Sequence, residues 1–307
     1  MRTLLTSLLT VASLSAHAGL TFEKEGTNLK VLADGELFTE YRTDQRVVCL
    51  YPLMSPSGAH LTRQYPFVEG VKGEKPDHPH HGGFWFTHGA VNGKDFWHKE
   101  NCRIVHKAFL EAPSGTAAGD MLRFSAHLTW EADGKAVLNE IRAYTIRAKG
   151  KTRTITVDSR LTPADDEVVF GDTKEGSFAV RVAPTLRLKG EVAKGHILTS
   201  EGKKDDDAWG KRARWVAYYG PDSKGEPAVV AILDHSKNLR HPTWWHARNY
   251  GLLTANPFGT RAFERGSESG DYTLKKGVTL HQQYQLVLHQ GSIESAAIEK
   301  HWKQFTK

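Results

Sequence analysis

Residues 77–98 hold five histidines, five large aromatic side chains and two aspartates. The run opens Asp77-His78-Pro79-His80-His81-Gly82-Gly83-Phe84-Trp85-Phe86-Thr87-His88 and closes Asn92-Gly93-Lys94-Asp95-Phe96-Trp97-His98. Imidazoles exchange protons near neutral pH or bind metals, and aromatic rings suit flat ligands and the apolar faces of sugars. A second cluster, His241-Pro242-Thr243-Trp244-Trp245-His246-Ala247-Arg248-Asn249-Tyr250-Gly251, runs on to Asn256-Pro257-Phe258-Gly259. Brought together, the two make an aromatic-walled pocket floored by His and Arg. That is a small-molecule site of the kind an enzyme carries.

Each residue type implies a role. His80 and His81 are neighbours, face different ways and take different tasks. With His88 and His246 they are the acid–base candidates, since such work needs an imidazole within hydrogen-bond reach of the substrate. The segment Gly171-Asp172-Thr173-Lys174-Glu175-Gly176-Ser177-Phe178 sets charges between glycines at a strand entry. There Glu175 is a carboxylate base, and Lys174 or Arg181 can stabilise an oxyanion. Arg248 has the planar fork that grips carboxylates or sugar hydroxyls. Arg63, Trp85, Asn92, Arg181, His241, Trp245 and Asn256 join it as the substrate-binding set. At most one of Trp244 and Trp245 lines the site, because adjacent strand residues point to opposite faces. His78, His80, His81 and His88 are alternative metal ligands, with Asp77 or Asp95 to complete or orient them. Their spacing matches no standard zinc pattern, so no cofactor is assigned and a divalent metal stays an option. No G-x-S-x-G elbow, P-loop or dinucleotide fingerprint is present, which removes the serine hydrolase, NTPase and Rossmann readings.

The elements that position these residues are strands. Residues 122–130 alternate apolar and polar throughout, Ile155, Val157, Ser159 and Leu161 alternate with Thr154, Thr156, Asp158 and Arg160, and 279–289 places Leu280, Tyr284, Leu286 and Leu288 on one face, the period of half-buried antiparallel strands. Further strands are expected near 28–33, 46–51, 136–147, 178–188, 214–219 and 228–234. Ala33-Asp34-Gly35 and Ala132-Asp133-Gly134-Lys135 are among the turns between them. One helix is expected at the C-terminus, capped by Ser292, with Glu294 at its N-terminal end. Its apolar stripe of Ile293, Ala297, Ile298, Trp302 and Phe305 would clasp a sheet. Pro79 keeps His78–His81 out of a regular strand, and Phe84–His88 re-enters a sheet. The expected fold is an all-β, two-sheet antiparallel sandwich in one domain over 19–307. Long loops at 52–82, 200–212 and 236–270 would carry the site.

Residues 1–18 read as a secretory signal: Arg2, an apolar Leu4–Leu14, then Ala16-His17-Ala18 as the cleavage site. The apolar run is too short to span a bilayer. The expected destination is the periplasm or the medium, without stable membrane insertion. Cys49 and Cys102 are the only cysteines, and export permits a disulfide without requiring one. The charge of +6 falls to +5 without Arg2 and is scattered, a solvated surface and no nucleic-acid face.

The clusters give the chain a further bearing. Tyr51-Pro52-Leu53-Met54-Ser55-Pro56-Ser57-Gly58, the Asp77–Phe86 run, Asp172-Thr173-Lys174-Glu175-Gly176 and the His241–Gly259 segment resemble a bacterial family of exported proteins labelled "methane oxygenase PmoA". That family often has an Arg after its paired histidines, where this chain has Gly82. The membrane methane monooxygenase subunit is built of membrane helices and this chain reads as β-structure, so the label is not taken as the activity. The resemblance implies carbohydrate metabolism. Size, β pattern and His-rich loops also look like the galactose-mutarotase supersandwich, whose enzymes epimerise, cleave or hydrolyse sugars with His and carboxylates. The expected function is a carbohydrate-active enzyme for a sugar or glycoside. A non-catalytic sugar-binding protein and a copper oxygenase are the alternatives.

Overall fold

The computed structural model describes residues 19–116 and 119–307; the expected signal segment lies outside the described residues. Two eight-stranded antiparallel sheets make the molecule. In spatial order the first sheet runs Leu20–Glu25, Asn28–Ala33, Glu36–Arg42, Cys49–Leu50, Phe84–His88, Gly176–Arg181, Leu252–Asn256 and Trp244–Trp245. The second runs His196–Thr199, Trp215–Pro221, Pro227–Asp234, Leu280–Gln290, Thr152–Pro163, Lys135–Lys149, Met121–Ala132 and Cys102–Gly115. Val168–Phe170 and Tyr272–Leu274 form a separate two-stranded ribbon.

Period-two alternation explains the packing. Phe84 and Phe86 point inward with Phe178, Val180, Leu253 and Ala255, and meet Phe124, Trp130, Tyr144, Ile155 and Leu286 of the second sheet in one core. Their neighbours Trp85, Ala179 and Leu252 point outward and make a separate apolar layer with Cys49, Tyr51 and Trp97. Hairpin turns fit their sequences: Asp34-Gly35 and Asp133-Gly134 all have positive φ, as a two-residue turn of this hand requires. Inside the sandwich lies a buried ion pair. Glu140 accepts both Nε and Nη2 of Arg142 at 2.7 Å, with Trp130 and Ser159 also donating to it.

Several expectations need correction. The strand expected over 178–188 ends at Arg181, and Pro184–Leu186 is a 3-10 turn, because Pro184 supplies no ladder donor. The strand near 46–51 shortens to Cys49–Leu50. The C-terminal helix is Ile298–Phe305, beginning after Ala297 in the left-handed region. Ser292 instead holds a preceding turn, its Oγ accepting from the Ser295 amide at 3.3 Å. The helix packs Ile298, Trp302 and Phe305 on the outer face of the second sheet. The long segment 236–270 contains two strands and a short helix, Thr260–Phe263. Cys49 and Cys102 are buried free thiols.

Candidate active site

The outer face of the first sheet carries the chemistry. Arg181 follows Ala179 on that face and is 1% exposed. Its Nη1 donates to His81 Nδ1 at 3.0 Å, and its guanidinium lies 4.4 Å from the Tyr250 ring centroid. The loop that brings His81 there is held by a second buried arginine. Arg63 donates to the Asp77 carbonyl at 2.9 Å, to Asp77 Oδ1 at 2.7 Å and to the His78 carbonyl at 2.7 Å. Gly83 lets this loop enter the strand: its φ is +68°, and a Cβ there would sit 2.4 Å from the Leu50 carbonyl oxygen. His81 stacks between His78, at 4.9 Å, and Trp85, at 5.4 Å.

Opposite these residues stands the acidic loop. Asn256 Nδ2 donates to the Thr173 carbonyl, His246 Nδ1 to the Lys174 carbonyl at 3.0 Å, and Thr254 Oγ1 to the Gly176 carbonyl. These bonds present Glu175, whose Oε1 lies 3.8 Å from Lys174 Nζ. A cavity of about 230 Å³ results, lined by His78, His80, His81, His98, Lys174, Glu175, His246, Arg248 and Tyr250. A larger cavity, about 530 Å³, lies under the C-terminal helix and is lined by no carboxylate. The smaller cavity is the one that joins a carboxylate to several imidazoles.

Partners fix the tautomers. An arginine only donates, so His81 Nδ1 accepts and its Nε2 carries the hydrogen. A carbonyl only accepts, so His246 Nδ1 carries the hydrogen and its Nε2 offers a lone pair. One cavity thus holds two imidazoles in opposite tautomers. Burial, the neighbouring His80 and the Arg181 cation push His81 well below its ordinary pKa. Burial lowers His246 to about 4, and burial with the adjacent His98 and His78 lowers His80 to about 3. All three are neutral at pH 7. The Nε2 atoms of His80 and His81 and the Nε of Arg248 are buried without a hydrogen-bond partner among the described residues. Such atoms are costly unless a ligand satisfies them.

The two sequence clusters do meet, through part of their membership. His80, His81, Lys174, Glu175, His246 and Arg248 line the cavity. Arg63 and Arg181 stand behind it, and Trp85 backs His81 with only 4% exposure. Asn256 acts at one remove, on the acidic loop. The other expected residues lie elsewhere. His88 shares the inward parity of Phe84 and Phe86, so it packs on Phe170 and Phe258 and bonds the Gly171 carbonyl at 2.8 Å. Trp245 is a core residue donating to the Ala213 carbonyl. Asn92 is spent on the Val169 amide, and His241 pairs with buried Asp234 at 2.7 Å beneath Trp302. The four-histidine metal set does not assemble, because His88 faces the core. Among the described residues, no three His, Cys, Asp or Glu side chains are placed to hold an ion.

Two lining residues stood in the sequence clusters but were given no role, His98 and Tyr250. Asp95 Oδ2 accepts from His98 Nδ1 at 2.9 Å, while Oδ1 takes the amides of Trp97 and His98. The Asp-x-x-His spacing in 95–98 was the available signal. Tyr250 sits between the guanidinium groups of Arg181 and Arg248, the latter 5.4 Å from its centroid.

A family model described as a family of unknown function, DUF6807, matches residues 28–303. No curated protein matches the chain. Among solved structures it is similar to a GH36 alpha-galactosidase from Geobacillus stearothermophilus, at 13% identity and a TM-score of 0.41, covering 89% of this chain and 41% of that one. The chain thus spans less than half the length of that protein. It is also similar to a galactose mutarotase-like protein from Lactobacillus casei, at 10% identity and a TM-score of 0.35, covering 88% of this chain and 100% of that one. A galactose mutarotase related enzyme from Lactobacillus acidophilus matches at 10% identity and a TM-score of 0.30, covering 89% and 98%.

Proposed function

We propose, from the premise that this chain belongs to the family of unknown function DUF6807, that its histidine cavity transforms a sugar or glycoside by proton transfer. The observation that carries the reading is the pair of opposite tautomers, His81 and His246, in one cavity. His246 Nε2 takes a proton from the substrate. The His81 Nε2–H donates a hydrogen bond to the oxygen on which negative charge grows, where a neutral donor in a buried site acts without reorganising. Glu175 accepts from substrate hydroxyls, and Arg248 and Lys174 hold its oxygens. Glycoside hydrolysis ordinarily uses two carboxylates across the bond, whereas Glu175 is the one carboxylate lining this cavity. Epimerisation, mutarotation or elimination is therefore favoured over hydrolysis. We also propose that the chain works outside the cytoplasm, on the strength of the leader expected at 1–18.

Proton NMR of the full chain in D2O tests this against monosaccharides, disaccharides, uronic acids and their 3-oxo derivatives. Deuterium incorporation, anomeric exchange or a new product is expected. His246→Gln should slow it by about 10²–10⁴-fold, the ordinary worth of a general base. Binding without turnover would make the protein a sugar-binding module, and silence across the panel would end the carbohydrate reading.

A further inference from the structure

A second cavity adjoins the first. It measures about 310 Å³, and His80 and His98 line both. Pro66, Phe67, Pro79 and Trp85 give it apolar walls, while Gln45 and Glu100 supply hydrogen-bonding groups. Ligand pockets commonly enclose about 300–1,000 Å³, a range the first cavity reaches only with the second. The second also stays open because residue 82 has no side chain: a Cβ on Gly82 would meet Phe67 Cζ at 3.1 Å.

We infer that the two cavities form one binding site for a ligand of two linked sugar rings, with the linkage lying over His80 and His98. This rests on the proposed function and names its substrate class. The first ring occupies the cavity of His81, His246 and Glu175. The second lies in the adjoining cavity, whose mixed lining suits a ring with apolar C–H faces and an equatorial belt of hydroxyls. The unpartnered Nε2 of His80 and the Asp95-anchored ring of His98 then face the bridging oxygen.

Calorimetric titration tests this with matched pairs: methyl β-glucoside against cellobiose, methyl β-galactoside against lactose, methyl α-glucoside against maltose. The 4-nitrophenyl glycoside of each sugar is the apolar control. For at least one sugar the disaccharide should bind about tenfold more tightly than the methyl glycoside, a difference of about 1.4 kcal/mol. Gly82→Val should narrow that ratio by filling the second cavity. Saturation-transfer NMR on the wild-type chain gives a readout free of any folding defect: both rings of the disaccharide should receive saturation. Saturation confined to one ring, or equal affinity within every pair, overturns the two-ring site and leaves the proposed function standing. Tighter binding of the nitrophenyl glycosides than of the disaccharides also overturns it. Absence of binding by every compound removes both.

Discussion

His246 sets the pH behaviour expected of the cavity. An exposed imidazole would lose its lone pair near 6.5, but burial holds His246 neutral down to about 4. The acid limb of kcat/KM should therefore lie below pH 5. A profile falling around pH 6.5 would show a different, exposed base at work. His81 is neutral for another reason as well, since Arg181 points a cation at its Nδ1. Arg181→Lys should free that tautomer, because a flexible ammonium does not reproduce the guanidinium fork. Turnover should drop by up to about 10²–10³-fold, the range lost when one oxyanion donor is removed. Single-turnover kinetics on both proteins would check it. Such partnerships are hard to read from sequence, since Arg181 lies a hundred residues beyond His81. His98 was more accessible, its anchor being the nearby Asp95.

At the scale of elements, alternation was legible wherever strands are regular. Residues 122–130, 154–161 and all but the first of 279–289 fall within observed strands. The fourteen-residue strand Cys102–Gly115 was not foreseen, because three irregularities in its pairing with Met121–Ala132 destroy the period. It is also an edge strand, where bulges, Pro113 and charged residues discourage pairing with another chain. His88 shows the reverse case. Its inward face followed from parity with Phe84 and Phe86, yet its residue type suggested chemistry. Inside Lys135–Lys149, Glu140 and Arg142 occupy inward positions that alternation reserves for apolar residues. Their pairing makes this tolerable, and breaking it should not be. Glu140→Gln leaves the Arg142 cation buried without its counter-charge, at a cost of about 3–5 kcal/mol. A urea midpoint shift with unchanged m-value would register the loss.

The whole molecule should weaken in mild acid, and His88 gives the sign. Its folded pKa is about 4 against an ordinary 6.5, chiefly through burial. A depressed value means the fold favours the neutral ring. The contribution is complete above 6.5 and is lost as pH falls toward 4, with a slope of up to about 1.4 kcal/mol per pH unit for each such histidine. Thermal melts from pH 7.5 to 4.5 should show a declining midpoint, and His88→Gln should flatten part of the decline. His80, His81 and His246, lowered in the same direction by burial, add to the loss in acid. The site also has a place in time. Its walls come from residues 78–98, 174–175 and 246–250, which meet only through long-range pairing of the first sheet. At about 5–20 residues per second of synthesis, His81 waits roughly 8–34 s on the growing chain before Tyr250 has been made. Through that interval the imidazoles of residues 78–98 already exist, unshielded, while His246 has still to be made. Only completion of the polypeptide removes them from water together and gives them opposite roles.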